Sequence, residues 1–344
     1  MAARPAIALV GAALAVGAVC GGVADAHLAS VALLLFEPVL WIATAGAAAW
    51  VAFRRGVRAA LLAVAVTATF SAGVRVAGLG VSAWSGEEVH ADARLAAFGE
   101  CARGREPPRE ARVAVWNVLA TNDDDAIVRA ASALDVDVLV MHEVIRAELG
   151  RRIARAWDGE SIHEKAIADW GTTIVVRRGR FVRCAERTRL VRELAAERRR
   201  RAIAVATMVE VRGGRFPLVT LHTDRPTTLG EAARWPDAMR TSSRRVAAMV
   251  RAIDHSAVVV AGDTNTHATF HRFHATIERA GVEAAPPHIT WPARLSGVPF
   301  VPLYALDRVW TGPHWELSAI RTVRLDVPSD HLAIVASLST RSPR

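Results

Sequence analysis

The sequence predicts an α/β domain exported behind three membrane-spanning helices, and three observations carry that expectation. Apolar runs dominate the start of the chain, apolar strands then alternate with helical patterns, and the strand termini repeatedly carry an acid, an amide or an imidazole. The first observation places the domain, the second gives its class, and the third gives its chemistry.

At 344 residues the chain is long enough for one large domain or two ordinary ones. Its 52% hydrophobic content is high for a soluble enzyme, and the excess lies at the front. Residues 6–24 are free of charge, residues 28–53 carry only Glu37, and residues 57–81 carry Arg75 late in the run. Each run is long enough to cross about 30 Å of hydrocarbon as a helix. None shows the polar face that a soluble helix needs. The expected organisation is a three-helix membrane region over residues 1–83, a linker over 84–110 and a catalytic domain over 111–340.

Arg54, Arg55 and Arg58 join the second run to the third, whereas Asp25 and His27 follow the first. The arginine hinge therefore stays cytoplasmic, and the rest of the chain after Val81 lies outside the cell membrane. Ala24-Asp25-Ala26 also reads as a signal-peptidase site. Cleavage there would shorten the chain and leave the topology unchanged. Glu37-Pro38 and Arg75 read either as a kink with a snorkelling charge or as head-group contacts.

Three cysteines suit an exported protein without demanding a disulfide framework. Cys20 lies in the first apolar run, and the spacing leaves open whether Cys101 and Cys184 pair. The net charge of +9 comes largely from arginine clusters, which are solvated loops or a surface that attracts anionic lipid and phosphorylated precursors.

Glu106-Pro107-Pro108-Arg109 closes a polar stretch that reads as the linker. Residues 112–118 alternate as a strand with Asn117 near its carboxyl end. Asn122 to Asp125 supply helix-start residues for a helix over 126–134. Residues 136–141 form a buried strand that runs into His142-Glu143. Residues 171–176 and 181–190 read as a hairpin around Arg177 to Arg180. A second hairpin, 201–211 with 216–221, turns at Gly213-Gly214 and leads to His222. A long helix over 229–253 follows.

The central stretch is residues 257–265, where small and β-branched apolar residues meet Gly262, Asp263 and Asn265. It reads as a strand buried on both faces, with Gly262 allowing a sharp turn. Asp-x-Asn is then either an Asx turn capping the next helix or a carboxylate and amide aimed at one ligand. A helix over 267–280, a proline-rich loop with Thr290-Trp291-Pro292, and strands over 304–310, 317–324 and 328–335 complete the domain. The last three bring Asp307, Asp330 and His331. One polar residue at a strand end is ordinarily structural; six strand termini with the same placement point to a site along one rim.

The ordered series Trp-Asn, His-Glu, Thr-x-His, Gly-Asp-x-Asn, Leu-Asp-Arg and Ser-Asp-His resembles the endonuclease/exonuclease/phosphatase superfamily over residues 112–338. Three membrane helices ahead of it, with Thr-Trp-Pro before the Leu-Asp strand, are similar to bacterial membrane proteins of the teicoplanin-resistance group. The resemblance implies a four-layer α/β/β/α sandwich of two packed mixed sheets flanked by helices. It implies a metal site of Glu143 with Asn117 and Asp330, and a water oriented or deprotonated by Asp263 and held by Asn265. It also implies that His331, polarised by Asp307, and His222 donate to phosphoryl oxygens. The expected cofactor is Mg2+, with Mn2+ also suited, because the donors are oxygens and no cysteine lies in the motifs. The chain departs from the family pattern at His142, where Gln is common, and at Arg308, where His or Tyr is common; Arg308 is expected to contact a phosphate.

The function expected is a membrane-anchored, extracytoplasmic phosphoesterase acting on a phosphodiester or pyrophosphate of a lipid-linked envelope precursor. Its partners are the lipid bilayer and that phosphorylated substrate; no protein partner is deducible. An exported nuclease is the second reading, since positive charge does not separate nucleic acid from anionic lipid. A single tyrosine and the lack of an evident stacking platform weigh against single-strand binding. A non-catalytic membrane protein is the third, and the intact series of acids, amides and imidazoles weighs against it.

Overall fold

The computed structural model describes residues 93–341 apart from 120–122, 166–169, 185–190, 195–202, 224, 226–228, 254, 267–270, 296–297 and 300, together with 44, 61 and 64–69. The three apolar runs and their hinges fall almost wholly outside the described residues. Among those described, no helix is long and apolar enough to cross a membrane. The chain divides into two units, one of Met1–Ser85, Pro226–Arg240 and Thr266–Ala275, the other of Gly86–Arg225, Thr241–Asn265 and Thr276–Arg344. The second unit carries both large sheets.

In chain order the elements are α1 (Ala93–Ala102), β1 (Glu110–Asn117), α2 (Asp124–Ala133), β2 (Val138–Val144), α3 (Ala147–Ala156), β3 (Glu160–Lys165) and β4 (Gly171–Val176). Then come β5 (Arg180–Val182), β6 (Val191–Leu194), β7 (Ile203–Val211), β8 (Gly214–His222), α4 (Leu229–Ile253), β9 (Val259–Asp263) and α5 (His271–Glu278). Last are β10 (Glu283–Ala284), β11 (Arg294–Leu295), β12 (Val298–Pro299), β13 (Asp307–Thr311), β14 (Trp315–Val323) and β15 (Ala333–Thr340). One sheet runs β14-β15-β1-β2-β4-β3 and the other β10-β13-β9-β8-β7-β5, with β6 on β7. Each is mixed, its parallel pair being β1 with β2 in one and β8 with β9 in the other.

The inner strands β1, β2 and β4 are buried on both faces because both faces are covered. Val113, Val115, Val138 and Val140 join Val205, Leu218, Val259 and Val309 in the core between the sheets. The alternate residues Ala114, Trp116, Leu139 and Met141 pack instead with Ile127 of α2 and with Leu149 and Ile153 of α3. Period-2 alternation thus divides β1, β2 and β4 between two apolar cores, whereas the edge strands β3 and β14 keep polar, partly exposed residues. Each fully buried Val contributes about 1.5–3 kcal/mol of transfer free energy.

Local signals set the element ends. The Asp123 carboxylate caps α2 by accepting from the Ala126 amide at 3.0 Å, and Asp124 and Asp125 complement the helix dipole behind it. Between β7 and β8, Arg212 and Gly213 hold φ of 51° and 77°, the left-handed pair that a two-residue hairpin turn requires.

Three expectations are revised by the fold. Residues 171–176 and 181–190 do not pair as a hairpin: β4 sits between β2 and β3 in one sheet, and β5 pairs with β7 in the other. A strand with both edges already occupied has no free ladder for its successor, so the arginine-rich turn crosses between sheets. The stretch expected as a linker contains α1, which buries Leu95, Phe98 and Ala102. A side chain at Gly99 would collide with the Ala252 carbonyl, so α1 lies close against the end of α4. Gly262 lies inside β9 rather than in a sharp turn, where a Cβ would collide with the Leu221 backbone of the neighbouring strand.

Cys101 of α1 and Cys184 are joined by a disulfide, with Cα atoms 5.2 Å apart across 83 residues of sequence. A loop of that length loses unfolded-state entropy worth about 4 kcal/mol in the chain-entropy account. Reduction, or Cys101→Ser, is expected to lower the unfolding free energy by about 2–4 kcal/mol, read from denaturant midpoints with and without reductant. Leu218→Ala, a truncation between the sheets, is expected to lose about 3 kcal/mol in the same assay.

Candidate functional site

The site begins with strand register. His222 is paired with Asp263 across the parallel β8–β9 ladder, and Asp263 with Asp307 across the antiparallel β9–β13 ladder. Cross-strand partners point to one face, so three distant segments set an imidazole and two carboxylates in a row. Asp307 opens its strand rather than closing it, and Asp330 and His331 precede β15. In an antiparallel neighbour the start of one strand lies beside the end of the next, so these residues reach the same rim.

The facing sheet supplies Asn117 and His142, register partners at the ends of β1 and β2. The Asn117 amide crosses between the sheets, donating to Asp263 Oδ2 at 2.9 Å and to Glu143 Oε1 at 3.1 Å. Successive residues of a regular strand face opposite sides, yet His142 and Glu143 both reach His222. The ladder between β2 and β4 is irregular between Met141 and Val144, and Glu143 takes a φ of 58°. That bulge re-aims the carboxylate, which lies 3.6 Å from His222 Nε2.

Around the rim the remaining groups interlock. His222 Nε2 is 3.7 Å from Asp263 Oδ2; His142 stacks on the His222 ring at 5.3 Å, and Trp170 meets it edge-on at 4.7 Å. Asn265, at φ 46°, donates its backbone N–H to Asp263 Oδ1 at 2.8 Å and its amide to the Thr223 carbonyl at 2.7 Å. The Asx turn is therefore real, and it holds the carboxylate in place. Ser329 Oγ donates to the Asn117 carbonyl at 2.7 Å and accepts from the His331 amide at 3.0 Å. Trp291 Nε1 donates to Asp330 Oδ2 at 2.8 Å.

Burial pushes the Asp263 carboxyl up, but the His331 and His222 imidazoles, the Asn117 amide and the Asn265 N–H together hold it below the usual carboxylate range. Burial would likewise discharge His331. The carboxylates of Asp307, at 2.9 Å from its Nδ1, and Asp263 outweigh that and raise the imidazole to about 10. Asp307 is itself raised, chiefly by burial and also by the charge of Asp263, so a single proton holds the pair together, and the charged imidazolium accounts for it. His142 is driven well below the ordinary imidazole value by burial and by the neighbouring His222. It is a neutral ring, with Nδ1 at 3.1 Å from Thr172 Oγ1.

Two donor sets are candidates for a metal. Asp263, Asp307 and His331 place ligand atoms within 4.8 Å of one another. A metal-bound imidazole must be neutral, however, and His331 holds a proton that Asp307 accepts as a hydrogen bond. That set suits a proton better than an ion. Glu143 and Asp330 are the better oxygen donors, since Asp330 Oδ1 is buried without a hydrogen-bond partner among the described residues. The fit is to a hard divalent cation. Asn117 presents its amide N–H groups to the carboxylates while its oxygen accepts from the Leu119 amide at 2.9 Å, so it joins the two acids rather than offering an oxygen.

All eight residues expected from the sequence meet in one network. Arg308 does not join it. Its neighbour Asp307 faces His331, and alternation turns Arg308 to the opposite side of the sheet, where it is buried near Glu278 and held at about 10 by desolvation. The one-residue step from Asp307 reverses the face, so Arg308 stands apart from the network in which it was expected to contact a phosphate. Trp170, Thr172, Trp291 and Ser329 were not foreseen. Only the Thr-Trp-Pro spacing hinted at Trp291, and its bond to Asp330 spans 39 residues.

No protein-family model and no curated relative matches the sequence. Solved structures do match. D. rerio TDP2 complexed with a single-strand DNA product is 17% identical, covering 67% of this chain and 99% of that one, with a TM-score of 0.50. An endonuclease/exonuclease/phosphatase family protein from Bacteroides thetaiotaomicron is 15% identical over 68% of this chain and 99% of its own, with a TM-score of 0.52. A conserved protein of unknown function from Enterococcus faecalis V583 reaches the same TM-score of 0.52 at 13% identity, over 67% of this chain and all of that one. The likeness establishes the fold as the endonuclease/exonuclease/phosphatase sandwich.

Histidine NMR checks the electrostatics. The His331 ring is expected to remain protonated from about pH 6 to about pH 8, and Asp307→Asn is expected to bring its titration down towards the ordinary range near 6.5. The stability that this pair contributes is fully present below the unfolded imidazole value and is lost as pH rises through about 10. A wild-type ring titrating at its ordinary value overturns the assignment.

Proposed function

We propose that the chain is a membrane-anchored, extracytoplasmic phosphoesterase that uses magnesium to hydrolyse a phosphodiester or pyrophosphate of a lipid-linked envelope precursor. The observation that carries the catalytic part is the Asn117 bridge: one amide joins Glu143 of one sheet to Asp263 of the other, beside two imidazoles. Acids, amides and an imidazolium converging on one rim suit transfer to water of a group that is itself anionic.

Glu143 and Asp330 would hold the cation, magnesium or manganese, which when bound neutralises phosphate charge. The chain's own groups do the rest. Asp263 is depressed, and a depressed carboxylate is a weak base at neutral pH. Its principal work is to orient the attacking water, accepting the proton as the new P–O bond forms and the ester or anhydride P–O bond breaks. Asn117 and Asn265 fix the carboxylate for that task. His331 faces Asp263 and Asp330 with Nε2 at 3.9 Å from each, carrying a proton that Asp307 keeps in place. It and His222 donate to the phosphoryl oxygens as their negative charge grows. His142 and Trp170 wall the His222 ring and hold its orientation.

Two observations support the location. The Cys101–Cys184 disulfide is of the kind that persists in oxidising compartments. The apolar runs ahead of the domain give it a bilayer tether, which raises the local concentration of lipid-borne phosphates. A second reading, an exported nuclease, is favoured by one finding: the fold is shared with a TDP2 structure complexed with single-strand DNA product.

Asp263→Ala and His331→Ala are each expected to lower turnover by about 10²–10³-fold or more with the fold intact by circular dichroism. Chelator should abolish the wild-type activity, and magnesium should restore it. Undecaprenyl pyrophosphate and duplex DNA, compared in detergent, separate the two readings. Full activity in both variants sinks the assignment.

A further inference from the structure

Of the two acids proposed to hold the cation, Glu143 lies within β2, whereas Asp330 stands in the loop between β14 and β15, where no ladder fixes its backbone. Other contacts must place it. Ser329 ties the loop to the Asn117 carbonyl on one side, and a segment some 40 residues earlier secures the other. The Ala293 amide donates to the Asp330 carbonyl at 2.6 Å, and the Leu332 amide to the Thr290 carbonyl at 2.9 Å. Residues 290–293 thus lie beside residues 330–332 as a splint. The splint is itself anchored, because the Thr290 and Trp291 amides donate to the Tyr304 carbonyl at 2.8 and 3.0 Å and the Tyr304 amide donates back to the Trp291 carbonyl at 2.7 Å.

The backbone contacts place Asp330; the Trp291 indole governs how its carboxylate stands. Nε1 donates to Oδ2 at 2.8 Å, while Oδ1 is buried, has no hydrogen-bond partner among the described residues and lies 3.9 Å from His331 Nε2. A carboxylate that turns freely offers either oxygen to a ligand. This one has an oxygen committed and an oxygen left over. Such a bond is not the automatic fate of a sheltered indole, since Nε1 of Trp116 and of Trp157 is buried with no hydrogen-bond partner. Packing explains a ring at position 291, which lies 5.7 Å from that of Tyr304, but phenylalanine would supply that contact equally. What tryptophan adds is the N–H.

We infer that Trp291 is a positioning residue for the metal site: its indole N–H holds Asp330 Oδ2 and leaves Oδ1 as the oxygen presented to a divalent cation held with Glu143. The inference rests on the metal-dependent phosphoesterase reading, which it deepens. A donor behind a metal-binding carboxylate fixes its orientation, and losing one ordinarily weakens metal binding about 10–100-fold.

Mn2+ binding to the full chain in detergent, read from the electron paramagnetic resonance of the free ion, tests this without any substrate. The site counted is the one that Glu143→Ala removes. Trp291→Phe is expected to weaken it at least about 10-fold, with the circular-dichroism spectrum unchanged. Two analogues placed at position 291 by codon suppression separate the N–H from the packing. With β-(3-benzothienyl)alanine, which keeps the fused ring and lacks the N–H, the same loss of at least about 10-fold is expected. With 5-fluorotryptophan, which keeps both, affinity is expected to stay within about 2-fold of wild type. Equal Mn2+ affinity of the two analogue proteins overturns the inference and leaves the metal site standing. Wild-type protein without a Glu143-dependent Mn2+ site removes the metal reading and this inference together.

Discussion

A single buried carboxylate sets the terms for the rest of the site. Asp263 is fully buried at the end of β9, and it stays ionised because four partners from four places in the chain are arranged around it. An isolated charge in that position would be neutralised, since burial without compensation costs several kcal/mol. The Asn117 amide, the Asn265 N–H and the two imidazoles supply the compensation, and each must be held in place by its own backbone. Fixing Asp263 thus fixes the ends of β1, β8 and β9 relative to one another. The geometry of the rim is a condition of burying that charge.

Departures from ideal backbone serve the same end. Glu143 and Asn265 both take left-handed φ values, at 58° and 46°, where a non-glycine residue pays a local conformational cost. Each points a polar group at the Asp263 cluster in return. Gly262, one residue earlier than Asp263, works by size rather than by conformation: it lets β9 lie flush against the Leu221 backbone, which sets the depth of the carboxylate. Strain and close packing are concentrated within a few residues, while the apolar cores on either side remain regular.

The position of His142 shows how the network tolerates change. Where the sequence resemblance would place a glutamine, this chain has a neutral ring held by Thr172 and stacked on His222. A ring cannot donate as an amide does, but it fills the space and braces the neighbouring imidazole. Arg308 makes the converse point. A cation next to Asp307 in sequence is on the other side of the sheet in space.

Much of this was legible before any coordinates. Runs of apolar residues followed by a polar one marked the inner strands β1, β2, β8 and β9, because a strand covered on both faces cannot vary its polarity without a penalty, whereas the polar edge strand β3 carried no such mark. The order of Asn117, Glu143, His222, Asp263, Asn265, Asp307, Asp330 and His331 carried the fold and the candidate site together. Helix caps and the Arg212–Gly213 turn followed from local chemistry. Strand pairing did not: β4 and β5 follow one another and part to different sheets, since hydrogen-bond edges are claimed by strands distant in sequence. Nor did the Cys101–Cys184 bond, the Trp291 contact to Asp330, the face of Arg308 or the charge on His331. Sequence determines which groups want burial and where the backbone can turn, because those are properties of a residue and its neighbours. Tertiary structure decided which groups meet, because distance and desolvation belong to pairs of residues that the chain order leaves far apart.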